Sequence, residues 1–420
     1  METKSLFKNK QYVYLISSQL VSNLGDWLDL LALMALVSIN WQASPMQMTG
    51  LMLCFSIPII LWGPFAGVLA DRYDRKKLMI IADLARAAAA VGVVFAPSIW
   101  VLYALIFFKS SFSALFIPSK NGKLKEIVPE AQMQQAVSLS AMIDNGSKVL
   151  GPMISGIAVA SIGVQLAFYL DAASFVVSAL FLLGLKSSLS PAVSEKVTDK
   201  KKGLFQEMGA GFAFLKTMPA VLFGLIVMSS ALLVLQIADT QIMILLRDIP
   251  GEPVNLAGYA MSASGAGMFL MSAYLSKKKI TSLTGYMSAG AIIVGGGFAG
   301  VVFLTGLPPS ALNFILPLLF FFAGGAAAGI FIPFNVLAQK STPVHMSGRT
   351  FGTINSVTTM AAIVGMVLGG ILVETLGIKT AFVMSGSLLI LIGIGTAFVK
   401  TGQKGSVNLA ESERGIQKEA

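Results

Sequence analysis

The sequence predicts an all-α integral membrane protein with twelve transmembrane helices in two pseudo-symmetric six-helix bundles. Three observations support this fold class: a composition too apolar for a soluble globule, twelve apolar segments of membrane-spanning length, and a motif repeat that relates the two halves. Hydrophobic residues make up 55% of the 420 residues and charged residues only 12%, with a mean hydropathy of +0.79. Soluble domains carry about 25% charged residues, so this chain must bury its surface in lipid.

Each apolar segment is long enough to form one transmembrane helix, because about 20 residues at 1.5 Å per residue cross the hydrocarbon core. The first segment follows several lysines but is too long for the apolar part of a signal peptide, so we interpret it as an uncleaved helix. The predicted helices are Tyr12–Ser38, Thr49–Ala70, Leu78–Ala96, Ile99–Pro118, Val137–Ala160, Val164–Leu185, Ala220–Leu246, Val254–Ser276, Leu283–Thr305, Ala311–Ala338, Phe351–Thr375 and Ile378–Val399.

Several landmarks of the first half recur in the second half at a nearly constant offset. The recurring residues are Phe116-Ile117-Pro118 as Phe331-Ile332-Pro333, Gly151 as Gly365, Gly156 as Gly370 and Phe168 as Phe382. General glycine richness would explain single coincidences but not this series. Repeats in the same order, joined after an even number of spans, form parallel bundles with the substrate path between them.

A Ser-, Pro- and Lys-rich linker separates the two halves. We expect an N-terminal bundle over residues 1–188, a cytoplasmic linker over 189–208, a C-terminal bundle over 209–400 and a cytoplasmic tail over 401–420. Lysines and arginines concentrate in alternate loops, and such loops stay in the cytoplasm. We therefore expect a multi-pass protein of the cell membrane with both termini in the cytoplasm. The net charge of +10 then follows from topology and not from nucleic-acid binding.

A densely charged loop, residues 67–77, lies between the second and third apolar segments. Its distinctive positions are Gly67, Asp71, Arg72, Asp74, Arg75 and Lys76. The pattern resembles the Gly-x-x-x-Asp-Arg-x-Gly-Arg-Lys signature of the major facilitator superfamily, with Asp74 in place of the second glycine. The form Asp-Arg-x-Asp-Arg-Lys-Lys is similar to the macrolide-efflux-type branch of drug:proton antiporters. Because the loop is far from the membrane midplane, we expect it to gate the balance between inward-open and outward-open states; an ordinary charged loop is the alternative.

The fifth predicted helix extends this resemblance. Gly151-Pro152, followed after two residues by serine and Gly156, is similar to the Gly-Pro-x-x-Gly-Gly motif of drug antiporters. Glycines permit close helix approach and Pro152 bends the helix, which predicts a hinge or a tight contact between helices. Ordinary small-residue packing is the alternative. Asp144 and Lys148, four residues apart on the same helix, are expected to neutralise each other.

Basic residues also occur inside the apolar segments. Lys109 lies near the middle of the fourth helix, where the family carries arginine in an Arg-x-x-x-Gly motif tied to proton transfer. Lysine lacks the bidentate geometry of arginine, so this match is degraded. A structural ion pair between Lys109 and the first helix is the alternative. In the third helix, Asp83 and Arg86 are expected to pair.

Four carboxylates inside apolar segments are candidates for proton coupling. Asp26 and Asp29 share one face of the first helix, Asp239 is the repeat equivalent of Asp26, and Asp171 lies in the sixth helix without a partner that the sequence identifies. The low dielectric of the bilayer favours the protonated form of a carboxyl group, so such residues can take up protons. We predict that Asp26 carries proton coupling with Lys109 as its partner; structural, hydrogen-bonded carboxylates are the alternative.

The sequence therefore predicts a secondary transporter that exports amphipathic or hydrophobic small molecules, such as drugs or macrolides, by proton antiport. The expected partners are the small-molecule substrate, protons and the lipid bilayer, and the chain is expected to act as a monomer without a cofactor. The sequence contains no nucleotide-binding motif, which excludes ATP-driven pumping by this chain. Neither an enzyme activity nor a metal site is expected, because Cys54 and His345 lack companion ligands.

Two other functions stay open at this point. One is the export of an endogenous metabolite, siderophore or lipid on the same scaffold. The other is a membrane sensor or scaffold that transports nothing. Intramembrane charges favour transport, because a scaffold has no need to bear their cost.

Overall fold

The computed structural model describes residues 6–187, 213–247, 253–277, 282–342 and 347–399. Within these ranges the chain forms twelve long helices joined by short connections, and the predicted linker (189–208) and tail (401–420) lie outside the described residues. A π-helical turn, Leu36–Asn40, extends the first helix, and a short helix, Ile242–Arg247, follows the seventh. The twelve long helices are α1 Lys10–Ala35, α2 Pro45–Arg72, α3 Arg75–Val94, α4 Ile99–Ile127, α5 Glu130–Ile162, α6 Val164–Leu183, α7 Pro219–Asp239, α8 Pro253–Lys277, α9 Leu283–Leu304, α10 Pro309–Ser341, α11 Ser347–Leu376 and α12 Ile378–Phe398.

Nine of the twelve described helices are long and apolar enough, by composition alone, to cross a membrane. The other three, α3, α5 and α8, are of similar length but less apolar. Asp83 and Arg86 lie in α3, Asp144 lies in α5, and α8 is rich in glycine, serine and alanine. These three helices therefore need partner helices to cover their polar groups.

Local sequence signals explain where α2 and α3 begin. Ser44 caps α2: its hydroxyl accepts a hydrogen bond from the Gln47 backbone N–H (3.3 Å), and the Gln47 side chain accepts one from the Ser44 N–H (2.8 Å). Asp74 caps α3, and its carboxylate accepts from the Lys76 N–H at 2.9 Å. Asp74 has a φ of −60°. The aspartate that replaces the signature's glycine thus has a role of its own, as a helix cap.

Some predicted boundaries were wrong. Helix α4 continues past Pro118 to Ile127, and α5 begins at Glu130 and not at Val137. The predictions counted only apolar residues, whereas a helix can continue after it leaves the hydrocarbon layer. The predicted seventh helix, Ala220–Leu246, is divided after Asp239 into α7 and the short helix that follows it.

The helices pack as two bundles, α1–α6 and α7–α12. In the first bundle α1 packs on α5 and α6, and α3 packs on α4 and α6; in the second, α8 packs on α10, α9 on α12 and α7 on α11. Two seams join the bundles, one between α5 and α8 and one between α2 and α11. The sequence repeat exchanges α2 with α8 and α5 with α11, so the two seams are equivalent.

Both seams are closed at one end of the molecule. We call it the far end; the opposite end, which holds Arg72, Arg75 and Lys76, is the basic end. At the far end the Ser262 hydroxyl donates to the Met153 carbonyl at 2.9 Å across the α5–α8 seam. The Thr49 hydroxyl donates to the Met366 carbonyl at 3.2 Å across the α2–α11 seam. The two donors, Thr49 and Ser262, are separated along the chain by the offset of the sequence repeat, and so are the two acceptors, Met153 and Met366. This agreement confirms the pseudo-symmetry.

Glycine allows the α5–α8 seam to close. A Cβ added at Gly156 would collide with the Gly258 carbonyl, and one at Gly258 would collide with the Gly156 carbonyl. The two helix backbones are therefore in contact. One apolar core, from Leu31 to Phe382, includes residues of both bundles at this end. The close approach that the helix 5 motif predicts is confirmed at Gly156.

The same helix faces separate towards the basic end. Gly67 lies five turns along α2 from Thr49, and Gly352 lies five turns along α11 from Gly370, so each pair shares one face. A Cβ added at Gly67 or Gly352 would meet no described atom within 4 Å. On α5, Met142 shares the face of Gly156 and is 67% exposed. Among the described residues, the two bundles thus enclose a cleft that is closed at the far end and open at the basic end.

Substitution of Gly156 should shift the protein away from this conformation. In a Cys54→Ser background, Gly156→Leu adds a side chain where only backbone fits, and such overpacking costs about 1–3 kcal/mol. Opening of the far end relieves that strain, and the accompanying movement of the bundles closes the cleft at the basic end. We expect the maleimide labelling rate at Met142→Cys to fall, because an equilibrium shift of about 1.4 kcal/mol lowers the ratio of cleft-open to cleft-closed molecules about tenfold. The control Ile157→Leu, at an exposed neighbouring position, should label at the parental rate, and equal rates in both variants would contradict the seam model.

Candidate functional site

A buried lysine binds two carboxylates inside the first bundle. The Lys109 Nζ on α4 lies 2.6 Å from the Asp29 Oδ2 on α1 and 2.6 Å from the Asp171 Oδ2 on α6. All three side chains are 3% exposed or less. Gly25 permits this arrangement, since a Cβ there would collide with the side chains of Asp171 and Ser174. We call Asp29, Lys109 and Asp171 the lysine triad.

A second group of charges lies beside the lysine triad. Arg86 on α3 binds the carboxylate of Asp83, one turn earlier on the same helix, and its Nη1 lies 3.7 Å from the Asp26 Oδ2 on α1. Ser178 on α6 donates a hydrogen bond of 2.6 Å to the Asp83 Oδ2. We call Asp26, Asp83 and Arg86 the arginine triad.

One aromatic ring connects the two triads. The Arg86 Cζ lies 4.2 Å and the Lys109 Nζ lies 5.0 Å from the ring centroid of Phe175, which is fully buried on α6. Arg86 also lies 4.7 Å from the ring centroid of Phe116. Aromatic faces attract cations, so the rings stabilise the two basic groups where water is excluded.

The two triads contain more negative than positive charge. When all groups are ionised, four carboxylates face two cations. Among the described residues, the Oδ1 atoms of Asp29 and Asp171 are buried and have no hydrogen-bond partner. Buried charge without compensation is costly, so neutral forms of some of these carboxyl groups are favoured.

Asp26 is the member of the two triads that reaches solvent. Its side chain is 43% exposed, whereas the carboxylates of Asp29, Asp83 and Asp171 are at most 1% exposed. Asp26 lies on α1 between Asn23, which bonds to α5, and Asp29, which bonds to α4. Its exposed side therefore faces the space between α4 and α5, which is the first bundle's side of the cleft.

These positions correct the predicted pairing. The structure pairs Lys109 with Asp29 and Asp171 and places Asp26 beside Arg86, so the predicted Asp26–Lys109 pair is wrong. Residues three apart on a helix point about 60° apart, which is enough to separate Asp26, beside Arg86, from Asp29, which contacts Lys109. Asp29, and not Asp26, is the deeper carboxylate of α1. The predicted Asp83–Arg86 pair is confirmed.

The fifth helix contacts α1 through its motif residues. Gly151 leaves room for Trp27, whose ring occupies the space of a Cβ there. The Asp144 carboxylate accepts hydrogen bonds from Gln19 (2.6 Å) and Asn23 (3.0 Å). Asp144 also lies 3.4 Å from the Lys120 Nζ. Asp144 was predicted to pair with Lys148, but the structure gives it these three other partners. The side chain of Lys148 lies outside the described part of the chain.

The charged loop after α2 is held to its own bundle. Arg75 donates to the Glu126 carboxylate on α4 at 2.5 Å and to the Ala70 carbonyl at 3.0 Å. The Lys76 ammonium donates to the carbonyls of Leu183 (2.8 Å) and Leu185 (2.6 Å) at the end of α6. Arg72 is exposed, and the side chain of Asp71 lies outside the described residues.

Asp239 takes no part in either triad. It is exposed at the end of α7 that lies at the far end, where the Gln241 side chain donates to Thr49 at 3.1 Å across the bundles. Among the described residues, every buried charged side chain belongs to the first bundle. The sequence predicted the Asp83–Arg86 pair and a role for Asp26, but it did not predict that Arg86 contacts Asp26.

Two six-helix bundles around a one-sided cleft, with charges inside one bundle, define a membrane transporter of the alternating-access type. The family comparison agrees, since the Major Facilitator Superfamily model matches residues 15–362. The chain belongs to this superfamily, whose members are transporters and not enzymes, and it is a multi-pass membrane protein.

Three known proteins are similar to this chain, two in sequence and one in fold. The chain is 42% identical to the uncharacterized MFS-type transporter YfiS of Bacillus subtilis (strain 168), over 90% of this chain and 91% of that protein. It is 25% identical to Macrolide efflux protein A of Streptococcus pyogenes, over 78% of this chain and 80% of that protein. The crystal structure of the nucleoside transporter NupG has a TM-score of 0.70 at 16% identity and covers 92% of this chain and 98% of that one.

Removal of Lys109 should destabilise the protein strongly and in a pH-dependent way. Lys109→Met leaves two buried carboxylates without their cation, and breaking a buried ion pair from one side costs about 3–5 kcal/mol. We expect a large fall in the melting temperature of the detergent-solubilised protein at pH 8. The deficit should shrink at pH 5, where both carboxyl groups can be neutral.

The matched control on the same helix is Lys120→Met. Its partner Asp144 is 43% exposed and keeps the hydrogen bonds from Gln19 and Asn23, so the loss should be about 1 kcal/mol or less. Equal losses for Lys109→Met and Lys120→Met at pH 8 would show that the lysine triad does not stabilise the bundle.

Proposed function

We propose that this protein exports amphipathic or hydrophobic small molecules across the cell membrane by exchange against protons. The observation that carries the proposal is the excess of buried carboxylates in the first bundle, together with the exposure of one of them, Asp26, to the cleft. A group that alternates between a charged, hydrated form and a neutral, buried form can bind a proton in one conformation and release it in another.

The direction of transport is proposed from charge distribution. Basic loops stay in the cytoplasm, so the basic end and both termini are assigned to the cytoplasmic side. The conformation described here is then open to the cytoplasm and ready to accept substrate from the cell interior. Closure of the basic end and opening of the far end would release that substrate outside, while Asp26 takes up an external proton.

A proton gradient supplies enough free energy for this exchange. Each pH unit across the membrane supplies about 1.4 kcal/mol for each proton. A membrane potential of 100 mV adds about 2.3 kcal/mol for each charge moved. One proton can therefore support up to about a tenfold substrate gradient for each pH unit, and more where the exchange moves net charge along the membrane potential.

The substrate class is proposed from the cleft and from the relatives. Seam faces that open onto the cleft carry apolar side chains, including Ile60, which is 50% exposed, and Met142. Methionine is flexible and polarisable and adapts to ligands of different shapes. A relative named for macrolide efflux supports an amphipathic cargo. Export of an endogenous metabolite, siderophore or lipid is the second candidate, and competition assays against a labelled macrolide would separate the two.

The loop between α2 and α3 is proposed to bias the conformational equilibrium. Arg75 and Lys76 fasten it to α4 and α6 of its own bundle at the basic end, far from the triads. Groups at that end would meet the second bundle when the cleft closes. The residues Gly67, Asp71 and Arg72 of the loop signature are assigned to this closure, and not to substrate binding.

Asp26→Asn should abolish transport that a pH gradient drives. The amide cannot exchange a proton, so inverted vesicles with an acidic lumen should no longer accumulate radiolabelled erythromycin above the external concentration. Binding and downhill exchange of the same probe should persist, because the amide keeps the size and hydrogen-bonding capacity of the carboxyl group. The measurements are vesicle uptake with and without a protonophore, and counterflow without a gradient.

The control for this experiment is Glu374→Gln, which removes an exposed carboxylate at the end of α11, outside both triads. It should accumulate erythromycin at the wild-type level. Wild-type accumulation by Asp26→Asn that a protonophore still collapses would place proton coupling on another residue. A wild-type protein that shows no gradient-driven uptake of macrolides, lipophilic cations or neutral drugs would refute the proposed function.

A further inference from the structure

We propose that the lysine triad is a second, internal proton-binding site, in which Asp29 and Asp171 share one proton beside Lys109. This site is separate from Asp26. The first bundle therefore binds one proton at Asp26, which is exposed to the cleft, and a second proton inside the lysine triad. The inference rests on the proposed function only for its role in transport; the presence of the proton itself can be tested without any substrate.

Geometry places the two carboxyl groups in one site. Both Oδ2 atoms lie 2.6 Å from the same Lys109 nitrogen, so they are no farther apart than twice that distance. Two carboxylates that share a buried site cannot both stay ionised at low cost. A single ammonium neutralises one of them, and the ionised triad keeps one net negative charge.

The unpartnered oxygen atoms indicate where the proton binds. Among the described residues, the Oδ1 atoms of Asp29 and Asp171 are buried without a hydrogen-bond partner. A carboxylate normally satisfies its oxygen atoms when it is buried, because an unsatisfied one loses its hydration without compensation. Addition of a proton to one of these oxygen atoms forms a neutral carboxylic acid and leaves the triad with no net charge.

The charged groups around the lysine triad do not replace this proton. Asp26 on α1 and the Asp83–Arg86 pair on α3 are together one negative charge in excess, so they do not offset the charge of the lysine triad. On α5, which packs against the other side of α1, Asp144 is held by Gln19, Asn23 and Lys120. No other described cation lies within ion-pair distance of Asp29 or Asp171.

The internal proton has a defined route to water. Asp29 lies one turn from Asp26 on α1, and Asp26 is open to the cleft. A proton that leaves Asp29 or Asp171 can therefore pass to the Asp26 carboxylate and then to the water of the cleft. Two protons for each substrate would raise the substrate gradient at one pH unit from about tenfold to about a hundredfold.

Infrared spectroscopy can detect the internal proton directly. The carbonyl stretch of a buried carboxylic acid is separate from that of a carboxylate, and pH difference spectra of the full-length protein in nanodiscs resolve it. Wild type should show this band at pH 7.5. Asp171→Asn and Asp29→Asn should each lose it, because the remaining carboxylate and Lys109 then form a neutral pair that needs no proton.

Matched variants separate this site from its neighbours. Asp26→Asn and Asp83→Asn, which alter only the arginine triad, should keep the band, and so should the surface control Glu374→Gln. Size-exclusion profiles and melting temperatures verify that each variant is folded. Absence of the band in wild type, or its persistence in both Asp171→Asn and Asp29→Asn, would overturn the proposal.

A transport measurement gives a second test of the internal proton. Its outcomes distinguish an error in this inference from an error in the proposed function. In proteoliposomes that accumulate erythromycin under a pH gradient, Asp171→Asn should lower the number of protons exchanged for each substrate from two to one. An unchanged number would contradict a transport role for the internal proton. A wild-type band without any gradient-driven uptake would leave the internal site in place and refute proton antiport instead.

Discussion

A buried ammonium group needs a counter-charge, and this constraint fixes the arrangement of the first bundle. Lys109 lies at mid-depth in α4, and its neutralisation draws α1 and α6 together through Asp29 and Asp171. Arg86 connects α3 to α1 in the same way through Asp26. Four helices of one bundle thus share a network of ion pairs. In the second bundle no charged side chain is buried among the described residues, and the helices are held by apolar packing and by hydrogen bonds such as that from the Ser288 hydroxyl to the Gly393 carbonyl (2.7 Å). The two halves descend from one repeat but differ in chemistry.

This asymmetry suits a rocking mechanism. Helices that share buried ion pairs resist relative movement, because separation would leave charges without partners. Motion is then concentrated at the seams, where Gly156 meets Gly258 and where Thr49 bonds to the Met366 carbonyl. These contacts at the far end combine a shared apolar core with a few hydrogen bonds across the bundles, from Thr49, Gln241, Ser262 and Arg247, and contain no buried ion pair among the described residues. The equivalent position of the two seams under the pseudo-symmetry lets one rigid-body rotation open the far end and close the basic end.

The sequence predicted the features that depend on one-dimensional patterns. Apolar length gave the helices, the repeat gave the two bundles, and the i, i+3 spacing of Asp83 and Arg86 gave their ion pair. It could not predict which carboxylate Lys109 binds, because that depends on the rotation of α1 about its axis. Asp26 and Asp29 differ by about 60° in direction, and only the packing of α1 on α5 and α6 decides between them. The length of α4 and α5 was missed for a related reason, since hydropathy marks the membrane and not the end of a helix.

The cost of the two triads also bears on the choice between a transporter and a scaffold. Replacement of a buried ion network by apolar residues is often neutral or stabilising, so stability alone gives no reason to keep one. Here the network carries two more carboxylates than cations, and one of its carboxylates, Asp26, is exposed to the cleft. A purely structural network would be expected to balance its charges and exclude water. The proton exchange proposed above would account for an unbalanced network with one solvent-exposed member, because the neutral and charged forms of such a network would be stabilised in different conformations.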